Sequence, residues 1–367
     1  MSVSPSFQRV IHETGFNAER LAVNSPALLA VGPDTVRLWF FGGSWEGRED
    51  VGLWSQVLRH GDDGAWRSEP ETLVWRLAGH SIGNAVPVRL DDGRLWLFVV
   101  TSSPGSWDDG QVWRLVSTDG GATYGPPGLW RETPGTLVGT APLRAGDDTW
   151  LVPLYDERRW RAWTVRLGGP DLDLLDEGPP ISTPRGCIQL TLAEAASGQF
   201  HGYLRTRDGE SYRVDSADGV HFGPAVPTGI PNPNARIAVS TVNGQPSDSV
   251  VLVYNPNAQG QLFLDEERLS SGRTCLRAAL SRDGGLTFPR VWRRDLAVGS
   301  GEYGYPWILP METRLLVAYQ AHRAAIRVAE LSPAWLTDPH PLVDPETFDE
   351  AVADVRATAA QHDRPKV

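Results

Sequence analysis

Apolar and polar positions follow one another in short runs along most of the chain, and turns that contain glycine or proline separate these runs. Val36–Phe41 is one such run, preceded by the turn Gly32–Asp34, and Arg94–Val100 is another, preceded by Asp91–Gly93. Runs of about four to eight residues that are rich in aromatic and β-branched side chains and bounded by turn residues predict β-strands. The pattern therefore predicts an all-β protein that is built from antiparallel hairpins.

One turn motif recurs, with serine, any residue, aspartate and glycine in that order. Complete copies lie at Ser117–Tyr124 and Ser281–Phe288, a shorter copy lies at Ser216–Phe222, and a degenerate copy lies at His60–Trp66. The spacing of the copies is about one or two times a period of roughly 50 residues, which is the length of a four-stranded propeller blade. Trp150–Trp163 fits the blade without a motif. With a sixth unit closed by the chain ends, we expect a six-bladed β-propeller.

The pattern changes near residue 335. We expect residues 1–335 to form the propeller and residues 336–367 to form a C-terminal extension. Asp344 precedes a proline and several acidic residues, which favours the start of a helix. Four apolar residues then recur on one helical face: Phe348, Ala351, Val352 and Val355. The extension is therefore predicted to contain a short helix that packs on the outside of the propeller.

Composition argues against several functional classes. The formal net charge is -11 and there is no run of lysine and arginine, so nucleic acid and anionic membranes are poor partners. The N-terminal residues lack the features of a secretory signal and no apolar run is long enough for a membrane helix, so a cytoplasmic location is expected. Cys187 and Cys275 have no motif spacing and are predicted to be buried free thiols, with one disulfide left open. No metal or cofactor motif is present.

The repeated motif on a predicted propeller resembles the Asp boxes of the sialidase superfamily, and in particular its branch of sialidase-like proteins with BNR repeats. The resemblance covers roughly residues 20–330 in the expected order. The segments that carry it are Phe40–Trp54, Gly83–Asn84, Pro153–Glu157, Ile188–Gln189, Arg205–Arg207, Pro231–Asn234, Leu252–Pro256, Gly301–Pro306 and His322–Arg323. It implies six blades, with Asp119, Asp218 and Asp283 in structural turns away from the pocket.

The resemblance also implies a chemistry. In this superfamily three arginines bind the substrate carboxylate, a tyrosine paired with a glutamate is the nucleophile, and an aspartate is the acid/base; the planar guanidinium of arginine suits a carboxylate. At the position of the first arginine this chain has Asn24, so Arg205, Arg207 and Arg273 are the candidates for an altered anion site. We expect a sialidase-like glycoside hydrolase that removes a terminal sugar, with an acidic sugar as one option, from a glycan or glycoconjugate.

The acid/base candidates lie in the loop after Phe41. Glu46 and Asp50 occupy the place where the superfamily carries this group. Trp45 would desolvate the carboxyl of Glu46, and a desolvated carboxyl donates a proton near neutral pH. The alternative interpretation is a solvated acidic turn.

Tyr303 and Tyr305 occupy the position of the nucleophilic tyrosine. A phenol, with a reference pKa of about 10, needs a nearby base before it attacks an anomeric carbon. His322, at the end of the last inner hairpin strand, is a further candidate acid/base. The alternative for the tyrosines is a place in the strand core.

Other polar and aromatic residues near predicted strand ends are candidates for contact with the substrate. Arg205 and Arg207 are two positions apart on one strand and so share a face. Asparagine is also common in turns, which leaves a structural role open for that residue type. The substrate-binding candidates are Trp45, Asn84, Asp156, Gln189, Arg205, Arg207, Asn234, Asn255, Arg273 and Arg323.

Two other functions remain open from the sequence. In a polysaccharide lyase on the same scaffold, His80 or His322 would work with a tyrosine to abstract the proton α to a uronate carboxylate, and the unsaturated product would absorb in the ultraviolet. In a non-catalytic propeller that binds a glycan or a protein, Glu46, Tyr303 and the arginines would not share one pocket. A propeller hosts many functions, so the fold does not decide between them.

Overall fold

The structure is a computed structural model that describes residues 6–256, 273–299 and 301–337 of the 367-residue chain. Its twenty-six strands form six antiparallel sheets of four or five strands each. Within each sheet the strands follow the chain order from the innermost strand outwards, except where the N-terminal strand closes the last sheet. The predicted six-bladed β-propeller is confirmed.

The first three blades contain strands β2 to β15. Blade 1 comprises β2 (Ala22–Gly32), β3 (Thr35–Gly43), β4 (Gly52–His60), β5 (Trp66–Ser68) and β6 (Thr72–Trp75). Blade 2 comprises β7 (Ser81–Arg89), β8 (Leu95–Ser102), β9 (Gln111–Ser117) and β10 (Gly128–Arg131). Blade 3 comprises β11 (Thr136–Val138), β12 (Leu143–Arg144), β13 (Trp150–Asp156), β14 (Arg161–Gly168) and β15 (Asp173–Glu177).

The remaining blades contain strands β16 to β26 and the N-terminal strand β1. Blade 4 comprises β16 (Cys187–Glu194), β17 (Phe200–Thr206), β18 (Glu210–Ser216) and β19 (Val226–Pro231). Blade 5 comprises β20 (Ala238–Thr241), β21 (Val250–Tyr254), β22 (Cys275–Ser281) and β23 (Arg293–Val298). Blade 6 comprises β24 (Tyr303–Met311), β25 (Arg314–Ala321), β26 (Ala325–Leu331) and β1 (Gln8–Glu13).

The N-terminal strand closes the ring. β1 pairs with β26 in a register that places Gln8 opposite Leu331 and Glu13 opposite Arg327. This pairing confirms the prediction that the N-terminal part of the chain helps to close the sixth unit. Because the outermost strand of blade 6 comes from the start of the chain, the two ends of the described chain are held in one sheet.

Blades pack face to face, so their second strands are buried on both faces. All eight residues of β8 are buried, and so are seven of the eight residues of β25. A strand that is covered on both faces needs apolar residues at consecutive positions instead of an alternating pattern. This explains the continuous apolar run at Arg94–Val100, where only the first residue is charged.

The Asp boxes form outer turns between the third and fourth strands of their blades. In the box of blade 2, the hydroxyl of Ser117 donates to Asp119 Oδ1 at 2.7 Å, and the backbone N–H of Thr123 donates to the same oxygen at 2.9 Å. Ser281, Asp283 and Thr287 repeat these contacts in blade 5. These aspartates are hydrogen-bonded within their own turns, as the sequence predicts for structural residues.

Arginine side chains join the outer turns to the preceding blades. In each of five blades, an outer-turn carbonyl accepts a hydrogen bond from an arginine of the blade before it. The pairs are Arg9 with Gly64, Arg37 with Gly120, Arg94 with Pro170, Arg166 with Asp218, and Arg213 with Leu286. The turns therefore stabilise the contact between neighbouring blades.

The described chain ends in one short helix, α1 (Pro333–Thr337), whose Leu336 is buried against blades 5 and 6. The helix predicted to begin near Asp344 lies outside the described residues. Cys187 and Cys275 are both buried free thiols, as predicted. Among the residues described, no helix has the length and apolar character that crossing a membrane requires.

Candidate active site

Bulges in the innermost strands turn polar side chains towards the centre of the ring. The pairing of β2, β7, β16 and β24 with their neighbours shifts register at the bulges that contain Ser25, Asn84, Gln189 and Tyr305. Ser25, Gln189 and Tyr305 have left-handed φ angles of 51°, 53° and 53°. Such backbone strain in residues other than glycine often marks functional sites. The same irregularity thus recurs in four blades around one axis.

The bulges open onto one axial cavity of about 130 Å³. Five of the six blades contribute side chains to its wall. The lining residues are Phe41, Glu46, Asn84, Trp107, Tyr155, Glu157, Gln189, Arg205 and Tyr305. Glu46, Asn84, Gln189, Arg205 and Tyr305 are sequence-predicted site residues, and the structure brings them together.

Arg205 presents an unneutralised charge to this cavity. Its Nε donates to Asn234 Oδ1 at 2.8 Å and its Nη1 donates to Gln189 Oε1 at 2.9 Å. Among the described residues no carboxylate lies within salt-bridge distance of its guanidinium. Two neutral amides therefore orient Arg205, and its positive charge remains available to a ligand.

Arg236 is a second cation that has no carboxylate partner in the described part of the chain, and it lies fully buried beneath the cavity wall. Its Nη1 donates to Ser25 Oγ at 2.8 Å and its Nη2 donates to Asn84 Oδ1 at 2.7 Å. Burial lowers the pKa of Arg236 to about 10. A buried charge with only neutral partners costs stability, so its retention indicates an electrostatic role.

The sequence analysis did not identify Arg236. The residue lies only two positions after Asn234, but apolar Ala235 and Ile237 flank it and make the segment resemble core strand. The sequence feature that could have identified Arg236 is its position within an apolar run, directly after the polar segment Pro231–Asn234.

A chain of ion pairs joins blades 5, 6 and 1 beside the cavity. Arg273 Nη1 donates to Glu302 Oε1 at 2.9 Å, and Arg323 Nε donates to Glu302 Oε2 at 3.0 Å. Arg323 also donates to Glu46, whose Oε2 accepts a further hydrogen bond from Asn24 Nδ2 at 3.1 Å. Asn24, at the position of the missing arginine, therefore contacts the acid/base candidate.

Glu302 is the central carboxylate of this chain. Burial alone would raise the pKa of Glu302, but the guanidiniums of Arg273 and Arg323 outweigh burial and hold the pKa below its usual value. Glu46 is likewise fixed by an ion pair with Arg323. Arginine side chains thus hold both glutamates in place.

Two arginines, Arg236 and Arg273, lie close to the ring of Tyr305. The guanidinium carbon of Arg236 is 4.9 Å from the centroid of this ring, and that of Arg273 is 5.4 Å away. Within the described part of the chain, no carboxylate hydrogen-bonds the Tyr305 hydroxyl. The tyrosine–glutamate pair that the resemblance implies is therefore not seen there, and two cations flank the ring instead.

Glu157 is the cavity carboxyl that stays unpaired. It lines the cavity with Tyr305 and Arg205, and its side chain makes no hydrogen bond or ion pair with the described residues. Burial raises the pKa of Glu157, although the charges of Arg205 and Arg207 oppose the shift. Glu157 is therefore the cavity carboxyl whose surroundings favour the protonated form.

Three candidates for catalysis lie away from the cavity. Asp50 accepts hydrogen bonds from the backbone N–H and the hydroxyl of Ser44, so it holds the loop after β3 in shape. Tyr303 is 5% exposed and packs in the core, with its ring 4.9 Å from that of His322. His322 is exposed, and none of these three side chains lines the axial cavity. The expectation that they act in one pocket is therefore corrected: Tyr303 does not share the pocket of Glu46 and Arg205, and Tyr305 lines it instead.

Other candidates have structural contacts. Asp156 accepts backbone hydrogen bonds in the turn after β13, and the sequence analysis selected it in place of its neighbour Glu157. Asn255 is buried and donates to the carbonyls of Cys275 and Tyr303. His80 is half-buried and contacts the carbonyl of Ala78. These polar groups satisfy backbone atoms and do not line the cavity.

The remaining candidates lie around the cavity rim. Trp45 is 45% exposed and borders a small cavity beside Glu46 and Arg323. Arg207 covers the ring of Trp160, with its guanidinium carbon 3.4 Å from the ring centroid. Among the described residues, no group of three or more histidine, cysteine or acidic side chains could hold a metal ion.

Solved structures share this fold at low sequence identity. The NanB sialidase of Streptococcus pneumoniae superposes with a TM-score of 0.68 at 10% identity, over 91% of this chain and 71% of that one. The intramolecular trans-sialidase of Ruminococcus gnavus, in complex with oseltamivir carboxylate, has a TM-score of 0.67 at 12% identity, over 90% and 98%. A Dyadobacter fermentans protein of unknown function has a TM-score of 0.63 at 15% identity, over 88% and 99%.

Sequence comparison shows the family. No curated protein matches the chain. The model of the BNR repeat-like domain matches residues 34–317, which include the second strand of blade 1, the residues that line the axial cavity and the innermost strand of blade 6. The chain therefore belongs to the BNR repeat-like domain family and has the six-bladed propeller fold of the sialidases.

Proposed function

We propose that this protein is a glycoside hydrolase that removes a terminal acidic sugar from a glycan. The observation that carries the proposal is the axial cavity itself, where two arginines lie close to the ring of Tyr305 and Arg205 has no carboxylate partner among the residues that the structure describes. A cavity of this kind favours an anionic ligand, because a bound carboxylate would neutralise a charge that the protein leaves unpaired.

Binding would begin at Arg205. Gln189 and Asn234 fix two of its guanidinium nitrogens, so its fork is oriented before the ligand arrives. A preoriented guanidinium loses less conformational entropy when it binds a carboxylate. Arg236 adds positive charge from below the wall, where it keeps Asn84 in place.

Glu157 would supply the proton that the leaving group needs. Its carboxyl proton passes to the glycosidic oxygen as the bond from that oxygen to the anomeric carbon breaks. The Glu157 carboxylate then takes a proton from the water that attacks the anomeric carbon, which restores the acid. The products are the free acidic sugar and the remaining glycan.

Tyr305 would stabilise the positive charge that develops at the anomeric carbon. No carboxylate accepts its proton within the described part of the chain, so we assign the phenol oxygen this electrostatic role instead of covalent attack. The fold supports a carbohydrate substrate by analogy, since the structural neighbours include a sialidase and an intramolecular trans-sialidase.

The proposal is tested with 4-methylumbelliferyl glycosides of N-acetylneuraminic, glucuronic and galacturonic acid, beside those of glucose and galactose. We expect cleavage of at least one acidic glycoside and none of the neutral ones. Replacing Tyr305 by phenylalanine should lower kcat/KM by about 100-fold, because a preorganised stabilising group is lost. Tyr303→Phe, which removes a hydroxyl from the same strand but from the core, should stay within about twofold of the wild type.

Two results would contradict the proposal. One is a wild-type protein that releases no umbelliferone from any acidic glycoside, which favours a binding propeller. The other is release of an unsaturated product that absorbs in the ultraviolet, which would indicate a lyase. The histidines proposed for a lyase, His80 and His322, lie outside the cavity wall.

A further inference from the structure

Three neighbouring arginines, in blade 4 and in the segment that leads into it, extend from the cavity to the solvent-exposed surface. Arg205 lines the cavity and is half-buried, whereas Arg207 and Arg185 are exposed. We call these three residues the arginine track. Arg205 and Arg207 lie at the end of β17 and just beyond it, and Arg185 lies in the segment that leads into β16. The track therefore belongs to one blade and begins inside the candidate active site.

Trp160 of blade 3 supports the track from below. The guanidinium carbon of Arg207 lies 3.4 Å from the centroid of the Trp160 ring, and that of Arg205 lies 5.8 Å from it. Gly186 lies against the same tryptophan, since a Cβ added to this glycine would come within 2.6 Å of the Trp160 Cβ. Its carbonyl accepts the backbone N–H of Arg207, which brings Arg185 next to Arg207.

The charges of the track are not neutralised by the described residues. None of the three arginines has a carboxylate within 4.0 Å there, although the chain as a whole is acidic and many of its other arginines form ion pairs. Asp208 lies beside the track, but its carboxylate accepts hydrogen bonds from the backbone N–H of Arg185 and from Thr183. Burial lowers the pKa of Arg207; the nearby charge of Glu157 opposes this shift, and the charges of Arg205 and Arg185 add to it.

We propose that the arginine track binds a second anionic group, carried by the sugar residue that is released with the leaving group. The substrate would then be a glycan in which two acidic residues are adjacent, with the terminal one at Arg205 and the next one at Arg207 and Arg185. This inference rests on the proposed function, because it needs a terminal acidic sugar in the cavity.

The geometry favours recognition by charge over recognition by stacking. Trp160 is 8% exposed and Arg207 covers its ring, so the tryptophan offers no open face to a sugar. The tryptophan holds the guanidinium in place, and the guanidinium presents its N–H groups to the surface. An anionic substituent would relieve the repulsion between neighbouring arginines, whereas a neutral sugar would not.

The test compares two matched pairs of disaccharides. In one pair N-acetylneuraminic acid is linked either to a second N-acetylneuraminic acid or to galactose; in the other, galacturonic acid is linked either to galacturonic acid or to rhamnose. We expect kcat/KM for the diacid to exceed that for the monoacid by about tenfold at low salt, and high salt to reduce this ratio. The ratio should fall to about one in Arg207→Ala and in Arg185→Ala.

Arg282→Ala is the matched control. Arg282 is also an exposed arginine stacked on a tryptophan, 4.3 Å from the ring centroid of Trp292, but it lies on the outer turn of blade 5. Its replacement removes the same charge and the same kind of contact, and the diacid preference should persist. Loss of the preference in this variant as well would indicate an effect of net charge and would contradict a local site.

Calorimetric binding of the same disaccharides separates the two proposals. If the wild type cleaves the sugars without a diacid preference, or if Arg207→Ala keeps the preference, the proposed role of the arginine track is wrong. The proposal of a hydrolase is then unaffected. If the diacids bind preferentially through Arg207 and Arg185 but no sugar is released, the result supports anion binding by the arginine track and contradicts the proposal of a hydrolase. No binding and no cleavage of any member would contradict both.

Discussion

At the scale of single residues, the cavity is defined by which charges have partners. Glu46 and Glu302 are paired with arginines, whereas Glu157 and Arg205 are not paired within the described chain. Arginines lower the pKa of Glu302 and hold Glu46 in place, whereas burial raises the pKa of Glu157. This contrast moves the expected proton donor from Glu46, which the sequence favoured, to Glu157.

The pH profile of activity follows from this assignment. Because the pKa of Glu157 is raised and the protonated form is the donor, kcat/KM should fall as pH rises through that pKa. The decrease of kcat/KM at high pH is the basic limb of the profile, and Glu157→Gln should remove it. The same substitution should lower kcat/KM by about 100-fold for a disaccharide. The decrease should be smaller for an umbelliferyl glycoside, because its leaving group depends less on protonation.

Steady-state kinetics from about pH 4 to 9, which span the pKa range of a raised carboxyl, measure this effect. Glu46→Gln serves as the comparison. Because Glu46 is fixed by Arg323, this substitution should leave the basic limb of the pH profile in place. A basic limb that survives in Glu157→Gln and disappears in Glu46→Gln would reverse the two roles.

Sequence patterns could not separate the two candidate tyrosines. Tyr303 and Tyr305 are two positions apart, so an ideal strand would place them on one face. The register shift between Gly304 and Trp307, with the left-handed φ of Tyr305, instead sends Tyr305 to the cavity and leaves Tyr303 in the core. A single bulge thus decides which residue can meet a ligand, and periodicity does not reveal it.

At the scale of elements, the Asp box is the feature that sequence predicts best. Its contacts are local: Ser117, Asp119 and Thr123 bond to one another within one turn, so their spacing in the chain determines the geometry. The hydrogen bond from the Thr123 hydroxyl, followed by that from its backbone N–H, depresses the pKa of Asp119. The turn therefore favours the ionised carboxylate.

Asp119→Asn should lower the free energy of unfolding by about 1 kcal/mol at pH 7, the net value of a hydrogen bond in a solvated turn. A carboxyl with a depressed pKa stabilises the fold above its unfolded-state pKa of about 4, and this contribution is lost as pH falls through the folded-state pKa. The difference between the two proteins should therefore shrink in acid.

Denaturant unfolding at pH 7 and pH 3 measures both effects. Asp62→Asn is the matched control, because Asp62 lies in the degenerate copy of the box and is exposed. Equal stability of Asp119→Asn and the wild type at pH 7, or a difference that grows as the pH falls, would contradict the structural role of the box carboxylate.

At the scale of the whole molecule, the site is built from contacts that no local pattern contains. Arg236 bonds to Ser25 and Asn84, which precede it by 211 and 152 residues. The ion-pair chain likewise joins Glu46 of blade 1 to Arg323 of blade 6, where the ring closes. The repeat predicted the ring and several of its polar strand ends, but which side chains meet at the axis depends on how six blades come together.

The distribution of charge is the main evidence for function at this scale. The chain has a formal net charge of -11, yet Arg205 in the axial cavity and Arg236 beneath its wall have no carboxylate partner among the described residues. A cationic centre within an acidic molecule would attract a small anionic ligand. The acidic surface around it would repel a polyanion as large as nucleic acid, which a basic protein would bind. An acidic sugar suits such a field.

The measurement that tests this account most directly compares a fluorogenic acidic glycoside with its carboxamide. Both forms of each umbelliferyl glycoside have nearly the same shape and leaving group, but only the acid carries a charge. The account predicts that the wild type cleaves one acid about 100-fold faster than its carboxamide, and that Arg205→Ala removes most of this difference because the charge-assisted contact is lost. Equal rates for acid and carboxamide in the wild type, or no cleavage of either form, would contradict it.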